Sequence, residues 1–332
     1  MIRNQWYVVL ASNEVKKGKL LGVTRMAEKL VFWRDNQGKV VCMLDRCAHR
    51  GVALSAGKIM PGCQTVQCPF HGFEYDSSGA CTYIPANGRN ARPPDVVRVN
   101  TYPTYEDRGW VWIWWGEGDP QPAAPPYFDS IPVSYPHATF KDHWKTHYSR
   151  AIENQLDAFH LPFVHYNTIG RGDRRIADGP IVEWCCSEEE PYRMDLWVSN
   201  RVDDGIPPKK PSEIGKRRPQ PSLQFLFPNL WQNWISDEIR LVVAFVPVDD
   251  ENTVMYLRSY QNITRLPILR QLFDLSFMLG SLIIERQDRR VVITQRPMRS
   301  RLRGGEKLVQ ADGPIIDYRR RREELLHRTG QD

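Results

Sequence analysis

The chain has 332 residues, 41% of them hydrophobic and 25% charged, and 45 Lys and Arg against 39 Asp and Glu give a net charge of +6. This length suggests about two domains and allows a sizeable buried core, while the ordinary composition excludes collagen-like, coiled-coil and disordered chains. The mild positive charge suits acidic substrates or an acidic electron donor but is too small to argue for nucleic acid.

Eleven Trp and 25 Pro favour strands, turns and long loops over a helical bundle. Residues 1–118 read as short strands (WYVVL, KLVFWR, KVVCML, GWVWIWW) separated by Gly, Asn and Asp turn signals. GEGDPQPAAPPY, starting at Gly116, is a proline-rich connector and the expected domain boundary. Thr146–Phe159 has helical spacing of apolar residues. Residues 181–262 return to strands (PIVEW, RMDLWV, LQFLF, IRLVVAFVPV, TVMYLRSY), interrupted by a basic, proline-rich loop over 203–221 that reads as surface or as a lid. Residues 267–292 read as one long helix and 313–328 as a terminal one, whose RRRR run at 319–322 is expected on a solvated face.

The opening MIRNQWYVVL lacks a basic segment followed by an apolar one, so no signal peptide is expected. The apolar stretch Leu266–Ile284, interrupted by Arg270, Gln271 and Asp274, is expected to fall short of a membrane span. Together these point to a cytoplasmic, reducing location. There the seven cysteines serve as ligands or core residues rather than disulfides. Cys42, Cys63, Cys81, Cys185 and Cys186 have no assigned role, and the last two are expected on opposite faces of a strand.

Two clusters carry chemistry. CAHRG sets Cys47 and His49 either side of one residue, CPFHG sets Cys68 and His71 either side of two, and 18 residues separate His49 from Cys68. Two thiolates and two imidazoles suit zinc, but zinc fingers present two Cys and then two His, whereas here each loop carries one of each. A Rieske [2Fe–2S] centre needs that interleaving: one iron takes both thiolates and the other both imidazoles. Gly51 and Gly72 follow the two loops and suit tight turns.

The second cluster is ENQLDAFHLPFVH, Glu153 to His165. If Glu153–His160 is helical, Asp157 and His160 share a face at i and i+3. Pro162 then ends the helix, and the chain turns to bring His165 back. Isolated His pairs are common on surfaces and in cores; the upstream cluster turns this one into a metal site. A 2-His-1-carboxylate set needs a third ligand from elsewhere. Glu285 and Asp288 in LIIERQDRRVVITQ are the candidates, unless both pair with Arg286, Arg289 or Arg290 on a helix surface.

With both clusters present, the sequence resembles the terminal (alpha) component of the Rieske non-haem iron oxygenases over nearly its whole length. It looks most like the alpha-only vanillate and dicamba O-demethylases, and is also similar to the saxitoxin-type hydroxylases. Respiratory Rieske proteins join two extra cysteines as a disulfide, and the matching positions here are Val52 and Phe70. They also place a serine where this chain has Phe73, so fewer hydrogen bonds to the cluster and a low potential are expected.

The resemblance implies an α+β protein, with an all-β Rieske domain over 1–118 and a helix-grip (START-like) catalytic domain with an antiparallel sheet over 119–332. It implies Cys47, His49, Cys68 and His71 as ligands of a [2Fe–2S] cluster, and His160, His165 and Asp288, with Glu285 the alternate, as ligands of a mononuclear Fe(II). Asp157 matches the family's bridging aspartate between His160 and a Rieske histidine, His71, of an adjacent subunit. Asn154 matches an asparagine near the iron. Electrons are expected from NAD(P)H through a separate reductase, with or without a ferredoxin, because the chain has no Gly-x-Gly-x-x-Gly or flavin-type motif. A head-to-tail homotrimer is expected. Monooxygenation of a small, flat, aromatic or cyclic substrate is the main reading, and ring cis-dihydroxylation is the alternative within enzymes. A pure electron carrier would use the Rieske half alone, and a START-like binding module would be iron-free. Phe225, Asn229, Trp231, Asn233, Trp234 and Phe277 are the expected pocket walls.

Overall fold

The computed structural model describes residues 1–170, 172, 175–185, 192–216, 218–264 and 266–330. Cys186 lies outside them. Two compact units divide the chain within the proline-rich connector: Arg3–Pro125, and Pro126–Asp332 with Met1–Ile2.

The first unit is three small antiparallel sheets. In one, Trp110–Trp115 is central, paired to Gln5–Ala11 on one side and Thr104–Asp107 on the other. All six of its residues are buried, which is why WVWIWW is continuously apolar rather than alternating. The second sheet runs Leu21–Arg25, Glu28–Arg34, Val40–Leu44, Thr101–Tyr102, and the third Lys58–Ile59, Thr65–Gln67, Glu74–Asp76, Cys81–Tyr83. The Cys47 loop leaves the end of Val40–Leu44, and the Cys68 loop joins Thr65–Gln67 to Glu74–Asp76.

The second unit is a seven-stranded antiparallel sheet in the order His137–Trp144, Thr253–Gln261, Ile239–Pro247, Leu230–Trp234, Leu223–Leu226, Arg193–Val202, Arg175–Cys185. Among the described residues four α-helices accompany it: α1 (Tyr148–Leu156), α2 (Leu161–Val164), α3 (Pro267–Val292) and α4 (Gly313–Arg328). The core packs Tyr148, Ile152 and Leu156 of α1 and Tyr318 of α4 against Phe225, Trp231, Phe245 and Leu257 of the sheet. Each such side chain, fully buried, contributes about 2–3 kcal/mol.

α3 and α4 occupy the spans read from the sequence, 267–292 and 313–328. Two other expectations fail. First, the RRRR run is not a solvated face: Arg319, Arg321 and Arg322 are buried. Arg319 donates to Glu153 on α1 at 2.7 and 2.8 Å and to Glu306 at 2.6 Å, and Arg322 donates to the Ser300 carbonyl. Carboxylates from segments distant in sequence make that burial tolerable. Second, α3 is long and apolar enough to cross a membrane, with a window of mean hydropathy 1.4, none of it buried. It is apolar on two faces: Phe277, Gly280, Ser281 and Ile284 line a cavity, while Ile268, Leu272, Leu275, Leu279 and Ile283 are exposed. Its last turns carry Glu285, Arg286, Asp288, Arg289 and Arg290.

Candidate metal centres

The two Cys–His loops of the first unit are built alike. The Cys47 N–H donates to the Val52 carbonyl and the Gly51 N–H returns to the Cys47 carbonyl; the Cys68 N–H donates to Phe73 and the Gly72 N–H to Cys68. Gly51 (φ +75°) and Gly72 (φ +72°) close these turns in the left-handed region that glycine adopts without strain. Both thiols are buried, whereas His49 and His71 are exposed with ring centroids 4.8 Å apart. Burial pushes the Cys68 thiol up, and the neighbouring Cys47 adds to it. Phe73 stacks flat on His49 at 4.7 Å. A buried thiol pair beside an exposed imidazole pair is the donor arrangement of a two-iron cluster with chemically different irons. The sequence reading missed Tyr75, whose hydroxyl lies 3.2 Å from Cys47 Sγ. It places a hydroxyl on a candidate ligand sulfur although residue 73 is phenylalanine rather than serine. Its only signal in the sequence was its place four residues after His71 in CPFHGFEY.

In the second unit, α1 delivers the other cluster. Its N-cap is His147, whose Nδ1 accepts from the Ser149 N–H at 3.2 Å. Burial, with Arg322 adding, holds that imidazole neutral at a pKa of about 2, as an acceptor cap requires. At its far end α1 stops at Leu156, short of the helix expected through His160. Asp157 turns extended (φ −85°, ψ 120°) and its Oδ1 accepts from the Phe159 N–H at 2.7 Å. An aspartate that binds the backbone two residues on favours a turn over helix. Pro162 does not end a helix; it sits in the first turn of α2, whose N-cap is His160. His165 follows α2 directly, its N–H donating to the Leu161 carbonyl. A break and a new helical turn, not one helix face, thus bring Asp157, His160 and His165 together.

α3 brings Asp288 to meet them. The ligand atoms of His160, His165 and Asp288 lie within 4.8 Å of one another. Asp288 Oδ1 is 2.9 Å from His165 Nε2 and 3.4 Å from His160 Nε2, yet it is buried without a hydrogen-bond partner. Neighbouring donors on an octahedral ion with bonds of about 2.1 Å sit about 3 Å apart. Three Lewis bases converging this closely, two of them buried, fit a divalent metal better than they fit one another. Burial favours neutral His160, but the carboxylates of Asp157 (Oδ2 to Nδ1, 3.6 Å) and Asp288 outweigh it and raise its pKa to about 9. Burial alone would raise the Asp288 carboxyl; the two imidazoles bring it below its ordinary value.

Glu285 points elsewhere. It is buried, and that burial, with Asp142 and Asp288 nearby, pushes its carboxyl well up. The proposed surface pairing of these acids with arginines is absent from both, because Arg289 donates to Asp142 instead at 2.8 Å.

Residues 5–103 match the Rieske [2Fe-2S] domain, and residues 144–328 match the vanillate O-demethylase oxygenase C-terminal domain. The chain belongs to the Rieske oxygenases with that C-terminal domain. Two relatives are chlorophyllide a oxygenase of Chlamydomonas reinhardtii, 36% identical over 52% of this chain and 26% of its own length, and the toluene-4-sulfonate monooxygenase iron-sulfur subunit TsaM1 of Comamonas testosteroni, 34% identical over 60% and 56%. The chain thus spans about half or less of the curated relatives it matches. In fold it is similar to dicamba monooxygenase bound to dicamba (TM-score 0.75, 21% identity, 100% of this chain and 99% of that one). Rieske oxygenases carry a [2Fe–2S] cluster and a mononuclear iron, the two kinds of centre that these donor sets fit.

The triad of this Rieske oxygenase opens into a cavity of about 560 Å³. Trp231, Asn233 and Phe277 line it as expected, along with Asn154, Asn200, Ser222 and Leu241. Phe225, Asn229 and Trp234 do not. Phe225 lies in the core, Asn229 is fully buried with its amide on the Phe245 carbonyl, and Trp234 packs under Arg240. For Trp234 strand alternation decides this, because Trp231 and Asn233 share a face that it lacks; Phe225, opposite Trp231 on the same face, is taken up by the core instead.

Proposed function

We propose that the chain is the terminal oxygenase of a Rieske monooxygenase system: His160, His165 and Asp288 hold a mononuclear Fe(II), and Cys47, His49, Cys68 and His71 hold the cluster. The buried, unpaired Asp288 oxygen between two imidazoles carries this reading. When bound, the iron supplies the reaction with O₂ and the cluster supplies single electrons. Three facial protein donors would leave positions open for O₂ and water. Asp157 stands behind His160, with one carboxylate oxygen 3.6 Å from its Nδ1. In a head-to-tail homotrimer it would also accept from His71 of an adjacent subunit, giving electrons a short hydrogen-bonded route. A separate NAD(P)H-dependent reductase, directly or through a ferredoxin, fills the cluster, in line with relatives named as subunits of multi-component systems.

The cavity suggests the substrate class. Trp231, Leu223, Leu241, Ile235 and Phe277 exclude water and grip a small, flat, apolar body. The carboxamides of Asn154, Asn200 and Asn233 offer hydrogen bonds, and among the described residues no Lys or Arg lines the cavity. These features suit an uncharged aromatic or cyclic molecule with hydrogen-bonding groups, acted on by hydroxylation or by O- or N-demethylation.

The test is a single turnover of chemically reduced, iron-loaded protein under ¹⁸O₂ with a panel of such molecules. One labelled atom per turnover is expected, in the hydroxylated product or, after demethylation, in the released formaldehyde; two in one product would make the enzyme a dihydroxylating dioxygenase. Asp157→Asn should keep both iron centres and lose turnover, and full turnover would remove its bridging role.

A further inference from the structure

His165 is almost wholly buried, and its metal-facing Nε2 is only half of its chemistry. Its other nitrogen, Nδ1, lies 2.8 Å from Gln287 Oε1. The same oxygen accepts from the Thr168 hydroxyl at 3.0 Å, and the Gln287 Nε2 donates to Asn167 Oδ1 at 3.0 Å. The contact of the Gln287 amide nitrogen with Asn167 sets the direction of the bond to the ring. With the Gln287 amide nitrogen committed to Asn167, its carbonyl oxygen faces the imidazole. A carbonyl only accepts, so His165 Nδ1 must carry the proton. A neutral imidazole protonated at Nδ1 leaves its lone pair on Nε2, aimed at Asp288 and His160.

We propose that Gln287 is a positioning residue of the mononuclear metal centre. It holds His165 in the Nδ1–H tautomer and fixes the ring's rotation so that Nε2 can bind metal. The inference rests on the metal-site reading above. Two features take it past a generic contact. Gln287 precedes Asp288 on α3, so one helix supplies both a ligand and the group that orients another ligand, and moving α3 moves both together. Asn167 and Thr168 follow His165 within three residues, so the amide clamps the turn after α2 as well as the ring. The two histidines are also treated differently. His160 has the carboxylate of Asp157 behind it and His165 a neutral amide. A neutral partner leaves His165 a weaker electron donor to the metal than a carboxylate would.

The test uses the full chain with its Rieske cluster, loaded with Co(II) at the mononuclear site. With the cluster oxidised and EPR-silent, the high-spin Co(II) spectrum reports that site alone, and chelator competition gives its Kd. Gln287→Leu, which removes the acceptor, should weaken Co(II) about 10–100-fold and broaden or shift its spectrum. Gln287→Glu, which keeps an acceptor and adds charge, should bind at least as tightly as the parent. A Gln287→Leu protein with the parent's Kd and spectrum would overturn the proposal, as would a Gln287→Glu protein as weak as Gln287→Leu. Should Gln287→Leu not fold, the exposed pair Asn167→Ala with Thr168→Val frees the amide: several-fold weaker Co(II) supports the clamp, and the parent's Kd refutes it. If the parent itself binds Co(II) no better than His165→Ala, the metal-site reading fails rather than this one.

Discussion

His160 should give the metal-free and metal-bound proteins opposite responses to pH. Its imidazole pKa is raised to about 9 between Asp157 and Asp288, against about 6.5 in an unfolded chain. A group whose pKa is raised on folding stabilises the fold fully below its unfolded value, and that contribution is lost as pH rises through the folded value. The gap corresponds to about 3 kcal/mol for the metal-free protein, present at pH 6 and lost by about pH 9–10. A metal requires the same nitrogen unprotonated. Its binding therefore displaces one proton, and apparent affinity should rise about tenfold per pH unit well below 9 and level off through it, about 50-fold in all from pH 7 to 9. The assay pairs denaturant unfolding of chelator-stripped protein with Co(II) competition titrations at matched pH. Stability should fall and affinity rise over the same interval. In Asp157→Asn, which loses one of the two carboxylates, both curves should move to lower pH. A Co(II) affinity flat between pH 7 and 9, or two curves with slopes of the same sign, would show that the carboxylates do not hold a proton on His160 and would refute the reasoning.

Asp288→Ala should release mononuclear iron while the visible Rieske spectrum persists, and Glu285→Gln should keep both; metal analysis showing the reverse would exchange their roles. Tyr75→Phe should lower the cluster potential in a redox titration, because the hydroxyl 3.2 Å from Cys47 Sγ stabilises the more negative reduced state; an unchanged or higher potential would show that this contact does not reach the ligated sulfur. Glu153→Ala should cost about 3–5 kcal/mol in denaturant unfolding, since it strips buried Arg319 and Arg150 of their shared carboxylate. Glu306→Ala should cost less, because that side chain is 29% exposed; the opposite order would mean that Glu306 carries the cluster.

The fold was legible where one element buries one continuous kind of face. α3 and α4 carry long helical patterns with few breakers, and Trp110–Trp115 is apolar throughout because neighbours cover both sides. His137–Trp144 and Leu230–Trp234 were not read as strands. The first is an edge strand with mixed exposure, paired on one side only, so its residues show neither clean alternation nor a continuous apolar run. The helix expected through His160 failed for a local reason: one hydrogen bond from the Phe159 N–H to Asp157 competes with helix, and composition cannot weigh that competition. Arg319 of α4 was misplaced because its main partner, Glu153, lies 166 positions away in sequence.

The sequence by itself determined the donor types and their spacing. Cysteine and histidine alternate across two short loops, and two histidines follow an aspartate at fixed intervals; coordination chemistry turns such local patterns into metal preferences without knowing the fold. The resemblance favoured Asp288 over Glu285, but only the tertiary structure could bring Asp288 beside His160 and His165 while Glu285, three residues away on the same helix, stays outside that group. Only it could show that Gln287 reaches His165 across 122 positions of chain. Ligand chemistry is written in residues close in sequence, whereas orientation, charge balance and cavity shape arise from groups that meet only when the sheet and its helices close on one another.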